Sequence, residues 1–441
     1  MIENNNKSLI LYIFLFIGTM FSSFYLSGFN LENISYYSIA IVFLIAILKN
    51  PSRGVAIIAL AAVTPIFTKI GFVRVHIVDI IAISTLIPLL IIKNLKKEKF
   101  LAPSILIVNL LFLIVIIASL LNAIYFKAAI KEIIQFIFMA FAYPLLIFNS
   151  VGSIKEVNKM LDIMSSGTAL LGLMVLIYSL ANQAGGGLYF MGLHKNGLGS
   201  LMVLPLPYLF LKVIHSKNKR WLFFMILNVI GLIFSMSRGA WLGGFVGVIF
   251  VAILLNKKEA VGLILCIGLV FATFFTFFTS SDFKDASTKT NTLEIRMVEW
   301  RKATWAFLER PILGWGYASF SSGNIYEIDG ENTVTTDPHN FIFRFSAELG
   351  LVGLSVFLSM ILYIIYKAIK AINRELNEET KYTIMALLGC IVAYLTHGLL
   401  DVFWVGGRGT LFWIFVSLLF TIIEKPNFIK SQSNNNQLEI V

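Results

Sequence analysis

The chemistry open to this sequence rests on a few guanidinium and imidazole groups set among apolar runs. Arg296 lies four residues before Trp300 in Leu293–Arg301, so in a helix the two share one face. One reading is a cation–π pair on a solvated surface. The other is an anion site, because Arg296 falls in the first turns, where backbone N–H groups and the helix dipole attract negative charge. Arg238 sits in Ser237-Arg238-Gly239, a short turn between two apolar runs. A charge there could snorkel to headgroups, yet ionisable groups at membrane depth are usually paired or functional. His339 follows Pro338 and precedes Asn340. Its neutral imidazole could take a proton near neutral pH; the alternative is a structural loop histidine. His194-Lys195-Asn196 forms a second polar cluster at the entry to an apolar run. His76 and His215 lie in connections. His397 lies four residues before Asp401, a spacing at which the two can pair on one helix face.

Other chemistries find no support. Neither a G-x-G-x-x-G after a strand nor a P-loop lysine occurs, and no His, Cys and Glu residues cluster at metal-ligand spacing. Asp337 could bind a cation, but a single carboxylate makes a weak site. A Ser–His–Asp triad cannot be assembled from spacing. No metal and no cofactor is expected. Cys266 and Cys390 both lie within apolar runs and read as buried, reduced packing residues.

The elements that must position these groups are membrane helices. Of 441 residues, 58% are hydrophobic and only 13% charged, against about 25% charged in soluble domains. Apolar runs near bilayer-spanning length recur throughout, which predicts an all-α polytopic bundle. Fourteen spans are expected, near 8–27, 34–48, 54–68, 77–92, 103–122, 128–148, 160–182, 196–213, 221–236, 239–255, 260–279, 348–366, 382–403 and 410–423; two are short, so twelve or thirteen would also fit. The N-terminal run is too long for a signal-peptide core and reads as the first span. The chain then divides into an N-terminal membrane bundle (1–279), one long polar external loop (280–347), C-terminal membrane helices (348–424) and a disordered tail (425–441). Gly185-Gly186-Gly187 reads as a flexible outer connection.

With cytoplasmic termini, 21 of the 35 Lys and Arg fall inside and 14 outside, 7 of those in the long loop. That phase obeys the positive-inside rule for short loops, accounts for the net charge of +11 without nucleic acid, and leaves the loop's basic residues needing another purpose. Within the loop, residues 291–309 read as an amphipathic helix with Leu293, Met297, Trp300 and Thr304 at 3.6-residue spacing, ended by Pro311.

Three motifs then agree in order and position: Ser237-Arg238-Gly239 after a span; Arg296–Trp300 followed by Pro311-Ile312-Leu313-Gly314-Trp315-Gly316; and Pro338-His339-Asn340 followed by Glu348-Leu349-Gly350-Leu351-Val352-Gly353. With them the sequence resembles the O-antigen ligase and polysaccharide polymerase superfamily, integral membrane glycosyltransferases of the Wzy/WaaL group. His194–Gly199 is similar to a motif of its exopolysaccharide polymerases. The resemblance covers residues 190–365, and only hydropathy is shared before that. Ligases of the group commonly have twelve spans, so fourteen is a departure.

The resemblance implies transfer of a glycan from undecaprenyl diphosphate to an acceptor hydroxyl, without nucleotide sugar, on the outer face of the cytoplasmic membrane. Arg238 and Arg296 would match the arginines that hold the donor diphosphate, with Arg301 grouped beside them. His339 would match the histidine that assists the acceptor hydroxyl. Trp300, Asn340, His194, Lys195 and Asn196 are support or acceptor-site candidates. A single inverting displacement is expected. The leading expectation is a polymerase of lipid-linked repeat units into a surface polysaccharide. The alternative is a ligase moving finished glycan to lipid A–core. A flippase of lipid-linked sugars would call for internal repeats, which are not found. Implied partners are the lipid-linked glycan, the acceptor glycan or lipid A–core, the bilayer and other polysaccharide-assembly proteins.

Overall fold

A computed structural model describes residues 51–63, 67–70, 73–182, 189–190, 193–216, 218–258, 292–322, 337–374, 376–401 and 408–425, with isolated positions around 261–268 and at 428. The expected first two spans, nearly all of the eleventh, Gly185-Gly186-Gly187, residues 280–291 and 323–336 of the polar stretch, Cys266 and almost all of both tails lie outside the described residues.

Within them the protein is an all-α polytopic bundle. Hydrocarbon offers the backbone no hydrogen-bond partners, so apolar runs of this length satisfy their own peptide groups as helices. Six helical segments are long and apolar enough to cross a membrane. They are α2 (Ile77–Leu95), α3 (Ile105–Ala118), the pair α4 (Phe126–Ile137) and α5 (Tyr143–Ser150), α6 (Ile154–Asn182), the pair α7 (Lys195–Val203) and α8 (Leu206–His215), and α13 (Phe341–Ile372). Three apolar helices are shorter, α9 (Arg220–Phe234), α10 (Arg238–Leu254) and α15 (Arg408–Glu424). Between α4 and α5 the helix widens into a π turn, Phe138–Ala142, and Asn109 on α3 donates to the Ala140 carbonyl at 2.5 Å. A π turn weakens the intrahelical ladder, and a neighbouring amide is what membrane interiors use to re-satisfy it.

The expected third span differs. Helix α1 (Pro51–Ala61) is only 11 residues long, and the chain then pairs as an antiparallel hairpin of β1 (Phe67–Ile70) and β2 (Val73–His76). Pro65 cannot continue a helix, and the β-branched and aromatic residues that follow suit a strand.

Helix α14 (Glu378–Gly398) is buried at every position from Thr383 to Ile391. Its partner is α10. A Cβ at Gly243 would lie 2.5 Å from the Ala393 carbonyl, and one at Gly247 would lie 2.6 Å from the Ala393 methyl. With Gly239 these glycines recur every fourth residue, the spacing that lets two membrane helices meet backbone to backbone. The start of α10 is thereby held beside the end of α14.

The helix ends sort into two sets. At one end Lys93 donates to Asn149 at 3.2 Å, Asn158 donates to Glu379 at 2.7 Å, Lys212 pairs with Asp162 at 3.4 Å and Lys367 pairs with Glu424 at 2.8 Å. At the other, the Tyr317 amide donates to Ser119 at 3.1 Å, the Ile124 amide to Ser319 at 3.1 Å, and Ser237 to Asn196 at 3.0 Å. The polar stretch belongs to this second end. It contributes α11 (Thr292–Glu309) and the short α12 (Ser319–Ser322), and α13 already begins at Phe341, inside the expected 280–347 loop.

The Pro311–Gly316 motif plugs a break in α13. Gly350 interrupts that helix with φ +62° and ψ −162°, a region essentially reserved for glycine. The backbone groups freed there bond to the motif. Leu351 and Val352 donate to the Pro311 and Ile312 carbonyls at 2.7 and 3.2 Å, while Trp315 and Gly316 donate to the Ala347 and Glu348 carbonyls at 3.0 and 2.8 Å. A Cβ at Gly350 would lie 2.4 Å from the Ile312 oxygen, and one at Gly314 would lie 2.5 Å from the Glu348 carbonyl. Beneath this junction Arg344 is buried between Glu132 of α4 and Glu348, and Glu348 also accepts from the Ala318 amide at 3.0 Å. Gly350→Ala is therefore expected to destabilise the fold by about 2 kcal/mol or more, since strain of ~1–3 kcal/mol adds to the clash. Thermal unfolding of the detergent-solubilised protein should drop by several degrees, with the exposed Leu351→Ala unchanged.

Candidate functional site

The site is assembled at the second end of the bundle from four separate elements: the segment before α13, the residues after α14, α11 and the start of α10. His339 stands in the left-handed region at φ +50°, uncommon for a residue with a side chain and a place where strain tends to accompany function. Two contacts hold it there. Its amide donates to Asp337 Oδ1 at 2.9 Å, and the Trp300 indole N–H donates to the Pro338 carbonyl at 2.8 Å. Trp300 is fixed in turn by stacking on Phe343, with centroids 5.4 Å apart and planes 13° apart. Asn340 caps α13, its Oδ1 accepting from the Ile342 amide at 2.8 Å and the Phe343 amide at 3.4 Å. Asn340 and Trp300 thus act as supports of the His339 segment.

The imidazole meets a carboxylate. His339 Nδ1 lies 3.2 Å from Asp401 Oδ1, and Asp401 is buried. An ionised Asp401 takes the proton on Nδ1 as a hydrogen bond, which leaves Nε2 with its lone pair available to accept a proton. Burial pulls the His339 pKa down, but the Asp401 hydrogen bond and charge, helped by Asp337 and opposed by Arg296, raise it above the ordinary histidine value. Sequence spacing sets Asp401 near His397; across the fold its Oδ1 meets His339. His397 Nε2 lies 3.5 Å from Ser237 Oγ. Asp337, His339 and Asp401 bring three ligand-type atoms within 4.8 Å of one another, enough to hold a cation as well as to orient the ring.

The arginines are divided by the helix they ride on. Arg296 faces inward. Burial lowers its pKa, while the charges of Asp401, Arg238 and Asp337 all act on it, and a guanidinium remains charged throughout. Arg238 is the first residue of α10, where the helix dipole adds to its charge. Two cations within Coulombic reach of each other repel, and an anion between them removes that repulsion. Arg301, five residues and so 140° around the helix from Arg296, is exposed and lines an outward groove with Met297, Trp305 and Leu308.

The His194-Lys195-Asn196 cluster joins the same end. His194 pairs with Tyr189 across the hairpin of β3 (Tyr189–Phe190) and β4 (Leu193–His194), Lys195 opens α7, and buried Asn196 accepts from Ser237 at 3.0 Å, next to Arg238. Asn196 is thus built into the turn that carries Arg238.

Fold and site together define a polytopic helical membrane protein with a carboxylate-supported histidine and paired arginines at one end of its bundle. Residues 223–358, which hold Arg238, Arg296 and His339 but not Asp401, match the family model described as O-antigen ligase (Wzy_C). A protein of Rickettsia conorii named "Putative polysaccharide ligase" is 27% identical over 233 residues, covering 49% of this chain and 54% of that one. Rickettsial proteins of the same description from R. felis and R. prowazekii are 26% and 29% identical over 146 residues, covering 30% of this chain and 33% of each. The chain thus spans about half of the first relative and a third of the others. Over residues 223–358 the chain is thus similar to the O-antigen ligase/Wzy superfamily.

Proposed function

We propose that this protein is a membrane glycosyltransferase that moves a glycan from undecaprenyl diphosphate to an acceptor hydroxyl at the outer face of the cytoplasmic membrane. The observation that carries the reading is the His339–Asp401 pair within Coulombic reach of Arg296. Nε2 of His339 takes the proton of the acceptor hydroxyl, whose oxygen attacks the anomeric carbon from the face opposite the diphosphate. The bond from that carbon to the diphosphate oxygen breaks, and undecaprenyl diphosphate leaves with the electron pair. Arg296 and Arg238 offset the charge gathering on the leaving group, so the barrier falls. A single displacement inverts the anomeric centre.

Two acceptors fit this chemistry. A growing repeat-unit chain makes the enzyme a polymerase, the leading expectation from the His194–Gly199 motif; lipid A–core makes it a ligase, the reading that the relatives' names favour. Incubating reconstituted protein with an undecaprenyl-diphosphate-linked repeat unit separates them. A ladder of products identifies a polymerase, and one-step transfer only when lipid A–core is added identifies a ligase. Glycan crossing the bilayer with no bond change would overturn both. We infer from the basic short loops that the site end faces outside and the termini the cytoplasm. A membrane-impermeant maleimide should accordingly label Glu309→Cys in intact cells; labelling only after permeabilisation would reject that orientation.

A further inference from the structure

We infer that α11 is an interfacial helix whose outward face is a docking surface for the acyl chains of the adjacent leaflet. The helix is inside out. Its inward stripe is Glu299, Lys302, Ala303 and Ala306, all buried, with Glu299 and Lys302 paired at 3.5 Å. Its outward stripe carries Met297, Trp305 and Leu308, exposed at 58%, 57% and 62%. Met297, Trp305 and Leu308, with Thr304, Arg301 and one side of Trp300, line a groove of about 410 Å³. A helix at a water boundary turns its charges out and its apolar stripe in; the reverse arrangement fits a helix with hydrocarbon on its open side.

The occupant follows from what the groove runs into. The apolar surface passes from Leu308 to exposed Ile312 and Leu313, whose segment is hydrogen-bonded to Leu351 and Val352 of α13. That helix is long and apolar enough to span the membrane and exposes Leu351, Leu358 and Leu362, side chains suited to lipid in a bilayer. On the other flank Asn122 donates to the Gly314 carbonyl at 3.4 Å, beside exposed Leu121, Ile124 and Phe126. The groove is thus continuous with the lipid-facing surface of the spans. Trp305 and Arg301 are the residue types that settle at headgroup depth. Trp300 belongs to the groove and also holds the Pro338 carbonyl. Given the proposed function, the lipid seat fixes the height of His339 relative to a lipid-linked diphosphate.

The test reads position and not transfer, so its failure is separate from failure of the proposed activity. Full-length protein is reconstituted in phosphatidylcholine and phosphatidylglycerol vesicles containing phosphatidylcholine brominated near the carbonyl end of its acyl chains. The Trp305 component is taken as the difference between wild type and Trp305→Phe. Quenching of that component by roughly half, with protection from aqueous acrylamide, is the expected result for a shallowly inserted helix. A component quenched by acrylamide and untouched by bromolipid overturns the proposal. A second measurement covers any disturbance by the Phe variant. Leu308→Cys in vesicles should react with a water-soluble maleimide roughly tenfold more slowly than Glu309→Cys beside it, and equal rates also overturn the proposal.

Discussion

His339→Gln is expected to lower glycan transfer by roughly 100- to 10,000-fold, the span for loss of a general acid–base group, while donor binding holds. Glutamine keeps a hydrogen bond to Asp401 but is a negligible base, so the variant separates proton transfer from loop support. A near-normal rate with an unchanged pH profile would remove His339 from the mechanism. In the wild type the base must be neutral, so the rate falls as pH drops through the His339 pKa. That midpoint should lie above the ordinary histidine value, because Asp401 and Asp337 outweigh burial. Asp401→Asn removes the main upward contribution and leaves burial and Arg296 pulling down. Its midpoint should move to lower pH, and its rate should fall by at least ~10-fold, since an amide no longer holds the proton on Nδ1. EDTA should leave the wild type active. Loss of activity restored by a divalent cation would instead make Asp337, His339 and Asp401 a metal centre.

Hydropathy made the membrane bundle legible, because spans of bilayer length leave the backbone no choice but helix. The site was legible in part. Arg238, Arg296 and His339 lie in three motifs far apart in sequence, and the fold brings them to one end of the bundle. The Asp401 partnership was not legible: 62 residues separate it from His339, and local helix spacing offered His397 instead. The periodicity of α11 was legible, but an amphipathic pattern does not say which side is wet, so the direction of its apolar stripe had no sequence signal. Arg301 was grouped with Arg296 by sequence proximity, yet a step of five residues turns it to the outer face. Gly350 sits in an apolar run where a glycine looks neutral, and only the carbonyls of Ala347 and Glu348 bonded to Trp315 and Gly316 reveal it as the break that the Pro311–Gly316 turn fills. The burial of Arg344 between Glu132 and Glu348 had no local signal either, since Glu132 lies 212 residues away.

Arg296→Ala is expected to reduce transfer by ~30- to 1000-fold, because one charge-assisted contact to a buried diphosphate is worth on the order of 2–4 kcal/mol in the transition state. Arg238→Ala should fall in the same range. The two act on one leaving group, so the double variant should lose less than the product of the single losses. Lysine at either position should restore activity only in part, since a point charge cannot reproduce the planar fork of a guanidinium on phosphate oxygens. Arg301→Ala should change the rate little, being on the outer face, and serves as the control for a mere loss of net charge. The pH profile supplies a sharper discriminator. The Arg296 charge holds the His339 pKa down, so Arg296→Ala should move the midpoint of the remaining activity upward, opposite to the shift expected for Asp401→Asn. A charge elsewhere on the loop would not produce that pair of opposed shifts. If Arg296→Ala leaves both the rate and the midpoint where they were, Arg296 does not share a site with His339 and the diphosphate must be held by other groups.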